Sequence, residues 1–186
     1  MLDQFQAWLE EVQKSAVDYK VTTAKERGIA NWKKVIWTSP MKNAAIKAKF
    51  SEMAGKVGMP GRDQIKCRPS RKAGEWLYDL VWRRFDQEGN LVEVILAMEI
   101  EVSYMQECTK RYDFNKLLQA DSSYKVFVFQ QKTKEDVEAG LQRLKSAAAQ
   151  YRFRSDSEFL LCGWSTLKNE FIFDRFHARR EADLVS

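Results

Sequence analysis

The chain has 186 residues, 45% hydrophobic and 31% charged, with a formal net charge of +5. That composition is of a soluble globular protein with room for one well-packed domain, and no apolar run approaches the ~18 residues that a membrane helix needs. Cys67, Cys108 and Cys162 are odd in number and far apart, which argues against a disulfide framework or zinc site, and the N-terminus lacks signal-peptide features; a cytoplasmic location is expected.

Residues 3–19 carry Phe5, Trp8, Leu9, Val12, Ala16 and Tyr19 at spacings of three and four, which predicts an amphipathic helix. Lys20 to Gly28 continues the helix or loops, and Trp32 to Trp37 is ambiguous between a turn and a strand. After Ser39-Pro40 a second helix is expected from Met41 to about Lys56, ended by Gly58, Pro60 and Gly61. A short strand near Gln64 to Arg68 precedes the clearest hairpin of the chain. Its first strand, Glu75 to Phe85, alternates with Trp76, Tyr78, Leu80 and Trp82 on one face; residues 86–90 form the turn and Leu91 to Val102 return. Val94 to Met98 is apolar throughout, as in a sheet covered on both faces. A helix from about Gln106 to Ala120, a strand at Tyr124 to Gln130 and a helix from Thr133 to about Gln150 follow. Strands at Glu158 to Trp164 and Glu170 to Phe176 close the chain. The fold class is therefore α/β or α+β, a mixed sheet with helices on its faces in a single domain. Within it, residues 1–40 form an N-terminal helical segment, 41–130 a core, and 131–186 the helix and strands that complete the sheet.

Two features bear on function. Between Lys20 and Lys72 stand fourteen Lys and Arg against Glu26, Glu52 and Asp63, so this stretch carries +11 and the remainder −6. With Trp32 and Trp37 interleaved, such a block is the footprint of a phosphate-backbone binder, and equally of a solvated lysine-rich helix face. The candidate contacts are Lys33, Lys34, Lys42, Lys47, Lys49, Arg68, Arg71 and Lys72. Core packing remains the favoured reading of the two tryptophans.

The second feature is a set of acids on the hairpin. Glu75 and Asp79 share a face of one strand, and Glu99 and Glu101 share a face of the next. If the turn pairs Phe85 with Leu91, Asp79 lies opposite Ala97 and Glu75 opposite Glu101; a slip of two residues brings Asp79 opposite Glu99. Acids this close repel, and within apolar strands they call for a positive charge among them. Hard carboxylate oxygens suit Mg²⁺ or Mn²⁺, which could activate water for a phosphoryl displacement. The bland alternative is that each acid is a solvated strand-end residue. Lys116 could simply pair with Asp113 one turn earlier. His177, the single histidine, reads as a surface residue.

The order of elements, with Asp79 in Leu77-Tyr78-Asp79-Leu80 and Glu99-Ile100-Glu101 on the return strand, resembles the PD-(D/E)xK nuclease superfamily, the restriction-endonuclease-like fold, over roughly Met41 to Gln130. That resemblance implies Mg²⁺ or Mn²⁺ held by Asp79, Glu99 and Glu101, hydrolysis of nucleic-acid phosphodiesters, and DNA favoured over RNA as partner, with a homodimer left open. The family's lysine is Glu101 here. Three explanations stay open: Glu serves in that place, Lys116 supplies the charge from the following helix, or catalysis has been lost and the protein is a binding or assembly module. An acid of the family's preceding helix would correspond to Glu52, and Glu75 is a further candidate ligand.

Overall fold

The computed structural model describes residues 1–29, 37–57, 64–69, 77–103 and 106–180. Helix α1 (Leu2–Arg27) buries Phe5, Trp8, Leu9 and Val12, residues spaced for one face. It runs on through the polar stretch after Tyr19 and stops at Gly28, whose φ of +62° lets its N–H close back on the carbonyl of Ala24. Helix α2 (Ser39–Val57) buries Ile46, Phe50 and Ala54. Strands β1 (Gln64–Arg68), β2 (Leu80–Phe85) and β3 (Leu91–Glu101) follow, then helix α3 (Glu107–Gln119) and strand β4 (Tyr124–Gln131). Helix α4 (Lys134–Ala149) is capped by the Thr133 hydroxyl, which accepts from Asp136 N–H. Strands β5 (Ser157–Ser165) and β6 (Glu170–Ala178) complete the described chain.

The six strands form one open sheet in sequence order. β1, β2 and β3 are an antiparallel meander; β3, β4 and β5 are mutually parallel; β6 returns antiparallel to β5. The two parallel steps each require a crossover, and α3 and α4 supply them. The α/β expectation therefore holds, with the sheet mixed as expected. One core lies between α1, α2 and the sheet, with Phe5, Trp8, Phe50, Trp82, Leu96, Met98 and Trp164. The other lies under α3 and α4, with Ala97, Phe114, Phe127, Phe129 and Phe159. Both faces are covered, so β3 is apolar on both, as read from Val94 to Met98.

The first hairpin strand departs from expectation. Its regular part begins only at Leu80, because Leu77 has φ +62° and breaks the extended backbone. Leu80 and Trp82 face the α1–α2 core, whereas Tyr78 packs on the α3–α4 side. Residues 70–76, which include the candidate ligand Glu75, Trp76 and the candidate contacts Arg71 and Lys72, lie outside the described residues, as do Trp32, Lys33 and Lys34.

Two features of packing set the sheet's geometry. The β2–β3 pairing starts as Phe85 with Leu91 but shifts twice, so that Leu80 faces Met98. Ile95 and Val92 are the extra residues of β3 at these bulges. Phe129 of β4, fully buried, sits against Gly140 of α4 and Gly163 of β5. A Cβ on Gly163 would lie 2.2 Å from Val137 Cγ1 and 3.0 Å from Phe129 Cζ, with no flexible side-chain end to yield. Gly163→Ala is expected to destabilise the protein by about 1–3 kcal/mol, read as a lower urea midpoint at unchanged m-value.

Candidate active site

The site forms where the β2–β3 ladder ends. Because Leu80 faces Met98, continuing the register brings Asp79 beside Glu99, the slipped alternative weighed from sequence. With Leu77 turned out of the strand, the Ile100 N–H is taken by the Asp79 side chain, whose Oδ2 accepts it at 2.8 Å. That bond fixes the plane of the carboxylate. Its other oxygen, Oδ1, lies 2.9 Å from Lys47 Nζ, which arrives from α2.

Glu99 is matched from the other helical layer. Alternation along β3 puts Glu99 and Glu101 on the face of Ala97, beneath α3. Glu99 is 1% exposed, and its Oε1 is 2.6 Å from Lys116 Nζ of α3. That short contact is a charge-assisted pair, and it partners the buried oxygen from the helix. Lys116 also lies 3.7 Å from Asp113, one turn earlier on the helix. Both readings of Lys116 thus hold together: it pairs along its helix and reaches the hairpin. Glu101 is buried, and its Oε1 accepts from Ser103 N–H at 2.9 Å.

Electrostatically the cluster is one unit. Burial pushes the Glu99 carboxyl up to about 8, with Asp79 and Asp113 adding to the rise and Lys116 opposing it. Asp113 is raised by burial and by Glu101 and Asp79, again against Lys116. Lys116 is raised, its three carboxyl neighbours outweighing its own burial. Tyr78 is raised by burial and by Glu99. The positive charge that the acids require is therefore present as two ammonium groups, one from each helical layer.

The remaining sequence candidates are placed apart from this cluster. Glu52 is exposed on α2 and pairs with Lys56 one turn on. Lys42 is buried, donating to Gln130 Oε1 at 3.2 Å with its ammonium over Trp37 and Trp164, and burial lowers it to about 8. It is part of the core polar network and not presented to a nucleic-acid backbone. Trp37 is itself core, edge-on to Trp164 at 4.8 Å. Lys47 belongs to the acidic cluster, Lys49 pairs with Glu11, and Arg68 ends β1. Sequence reading took Lys47 as a phosphate-backbone contact and not as a partner of Asp79, missed Tyr78 as a site member, and took Asp113 as a helix partner of Lys116. The spacing of Asp113 and Lys116 carried a signal; nothing around Lys47 did.

Among the described residues, no group of three or more His, Cys, Asp or Glu is gathered so as to hold a metal ion by itself. Mg²⁺ sites, however, commonly use one or two carboxylates with water and substrate phosphate completing the shell. Asp79 and Glu99 suit such a site in donor chemistry. Among the described residues no helix is long and apolar enough to cross a membrane.

Comparison with family models, curated proteins and solved structures finds no match to this chain. The site therefore stands on its own geometry.

That geometry has a pH signature. The folded-state pKa of Glu99 is raised above the ordinary carboxylate value. Its contribution to stability is thus fully present below about pH 4.5 and is lost as pH rises through about 8. In chelator, the thermal midpoint is expected to fall from pH 5 to 8.5, and Glu99→Gln to flatten that slope; an unchanged slope in the variant would place the titrating group elsewhere.

Proposed function

We propose that this protein is a metal-dependent nuclease of the PD-(D/E)xK type, with a restriction-endonuclease-like core, hydrolysing phosphodiesters of nucleic acid, with DNA the favoured substrate. The observation that carries the reading is Lys116 of α3 lying 2.6 Å from Glu99, with Asp79 bonded to the next residue of β3 through Ile100 N–H. The order α2-β1-β2-β3-α3-β4, with β4 parallel to β3, supports it. Asp79 and Glu99 would hold Mg²⁺ or Mn²⁺. When bound, that ion supplies Lewis acidity and a nucleophilic water.

The chain's own residues do the rest. Ile100 N–H holds Asp79 in one orientation, and the closed β3 strand does the same for Glu99. Lys116, tethered between Glu99 and Asp113, stands where the motif's lysine charge is missing and would stabilise negative charge on the phosphoryl oxygens. Glu101 occupies the motif's lysine position and is tied back to Ser103 N–H, which suits a residue that orients the loop or a water.

A second reading is a non-catalytic nucleic-acid-binding module. It is favoured by the one observation that the hairpin acids are already matched with lysine ammonium groups.

Cleavage of plasmid and linear DNA with Mg²⁺ separates the two. Asp79→Asn and Lys116→Ala are each expected to lower the cleavage rate by about 10²-fold or more while duplex binding in Ca²⁺ persists. Cleavage that survives Asp79→Asn would remove Asp79 from the site. Duplex binding without cleavage by the unmodified protein, in either Mg²⁺ or Mn²⁺, would select the binding module.

A further inference from the structure

β1 and β2 carry a group of cations that the acidic cluster does not use. Ile65 and Cys67 of β1 pack toward the α1–α2 core, so Lys66 and Arg68, alternating with them, turn to the other face of the sheet. Arg83 stands directly opposite Lys66 in the antiparallel pairing and joins it on that face. Both lie over the ring of Phe85, Lys66 Nζ at 4.6 Å and the Arg83 guanidinium carbon at 5.3 Å from its centroid. Burial holds the Arg83 guanidinium below its usual value, and the charge of Arg68 adds to the effect.

Like charges facing each other across a ladder are unfavourable, yet among the described residues neither Lys66 nor Arg68 has a carboxylate partner. Elsewhere the pattern is the reverse: Lys49, Lys56, Lys116, Lys145 and Arg175 each meet an acid. A gathering of cations without acids is a surface whose charge an external anion balances. Its layout suits a repeating anion. β1 is the edge strand, Lys66 on it is exposed, and α3 and α4, the helices on this side, pack on β3 to β6. Lys66 and Arg68 follow each other along the strand and do not converge on a pocket. Arg68 is in line with Ala97 across β2, two strand spacings or roughly 10 Å away. Glu99 is the next residue of β3 on that same face, so a chain of phosphates held at β1 leads toward the Glu99–Lys116 pair.

We propose that the β1–β2 face, through Lys66 and Arg68, is the surface on which this protein holds the phosphate backbone of its nucleic-acid substrate. This rests on the nucleic-acid reading above. It transfers the backbone contact from the lysines of α2, of which Lys42 is buried, to the edge of the sheet.

The test is titration of a fluorescent DNA duplex in chelator over a series of NaCl concentrations. The proteins are the unmodified chain, Lys66→Gln/Arg68→Gln, each single variant, and Lys134→Gln/Lys145→Gln, which removes the same charge from α4. Thermal scans check folding, and the single variants serve should the double variant fail to fold. Each phosphate contact contributes about 0.9 to the slope of log K against log[salt], and roughly tenfold in affinity at ~0.1 M salt. The β1 double variant is expected to lose both contacts, each single variant one, and the α4 variant neither. Its thermal midpoint should hold or rise as the repulsion is relieved. Unchanged slope and affinity in the β1 variants, an equal loss in the α4 variant, or no duplex binding by the unmodified protein at low salt would overturn the assignment of this face. Cleavage assays with Mg²⁺ alongside keep it apart from the nuclease reading. Binding that loses its slope in the β1 variants, with no cleavage by the unmodified protein, sinks the nuclease and leaves the surface. Cleavage by the unmodified protein, with slope unchanged in the β1 variants, does the opposite.

Discussion

The site depends on the register between β2 and β3. A hairpin that paired Phe85 with Leu91 and ran without interruption would leave Asp79 opposite Ala97, two residues from Glu99. The two bulges at Ile95 and Val92 absorb that offset. A shift of one residue would have turned Glu99 and Glu101 away from α3 and into the α1–α2 core, where no lysine of α3 could meet them; a shift of two preserves the face. The bulges thus move Asp79 into line without disturbing the apolar alternation of Leu96, Met98 and Ile100. Where the ladder then stops, the Ile100 amide is available to a side chain, and Asp79 takes it.

The same end of the hairpin explains why the acids can be buried at all. Carboxylates in a low-dielectric sheet are unfavourable unless matched by charge and hydrogen bonds. Here α2 and α3, packed on opposite faces, each send one lysine to the strand end. The match is unequal. Asp79 has a backbone donor and an ion pair, whereas Glu99, almost wholly buried, is raised by that burial in spite of Lys116. Glu99 therefore holds its proton to higher pH than an ordinary carboxylate.

Much of the fold was legible because the apolar periodicities were strong. Val94 to Met98, apolar on both faces, correctly implied a sheet covered twice over, and the helices after β3 and β4 lie within a residue or two of their expected bounds. Two things were not legible. The left-handed backbone at Leu77 leaves no mark in an alternating apolar pattern, so Tyr78 was assigned to the wrong face. Lysines were read by charge, yet Lys20 and Lys42 lie in the interior, each with its ammonium over the ring of Trp37. A long aliphatic stem with a charge at its tip looks the same in sequence whether it ends in solvent or against an indole. In the site itself, the acids announced themselves by standing in apolar strands, whereas Lys47 was one basic residue among many. Only the packing of α2 over the end of β2 distinguishes it.

The acid at Glu101 also has a physical sense. A lysine on β3 two residues after Glu99 would project on the same face, beneath α3, and would compete with Lys116 for the space around Glu99 and Asp113. With Lys116 already supplying that charge from the helix, a second ammonium there would be repelled. A carboxylate is tolerated because it bonds the Ser103 amide just past the end of the strand and so faces away from the Glu99–Lys116 contact. Asp113, one turn behind Lys116, holds the ammonium between two carboxylates and keeps it beside Glu99.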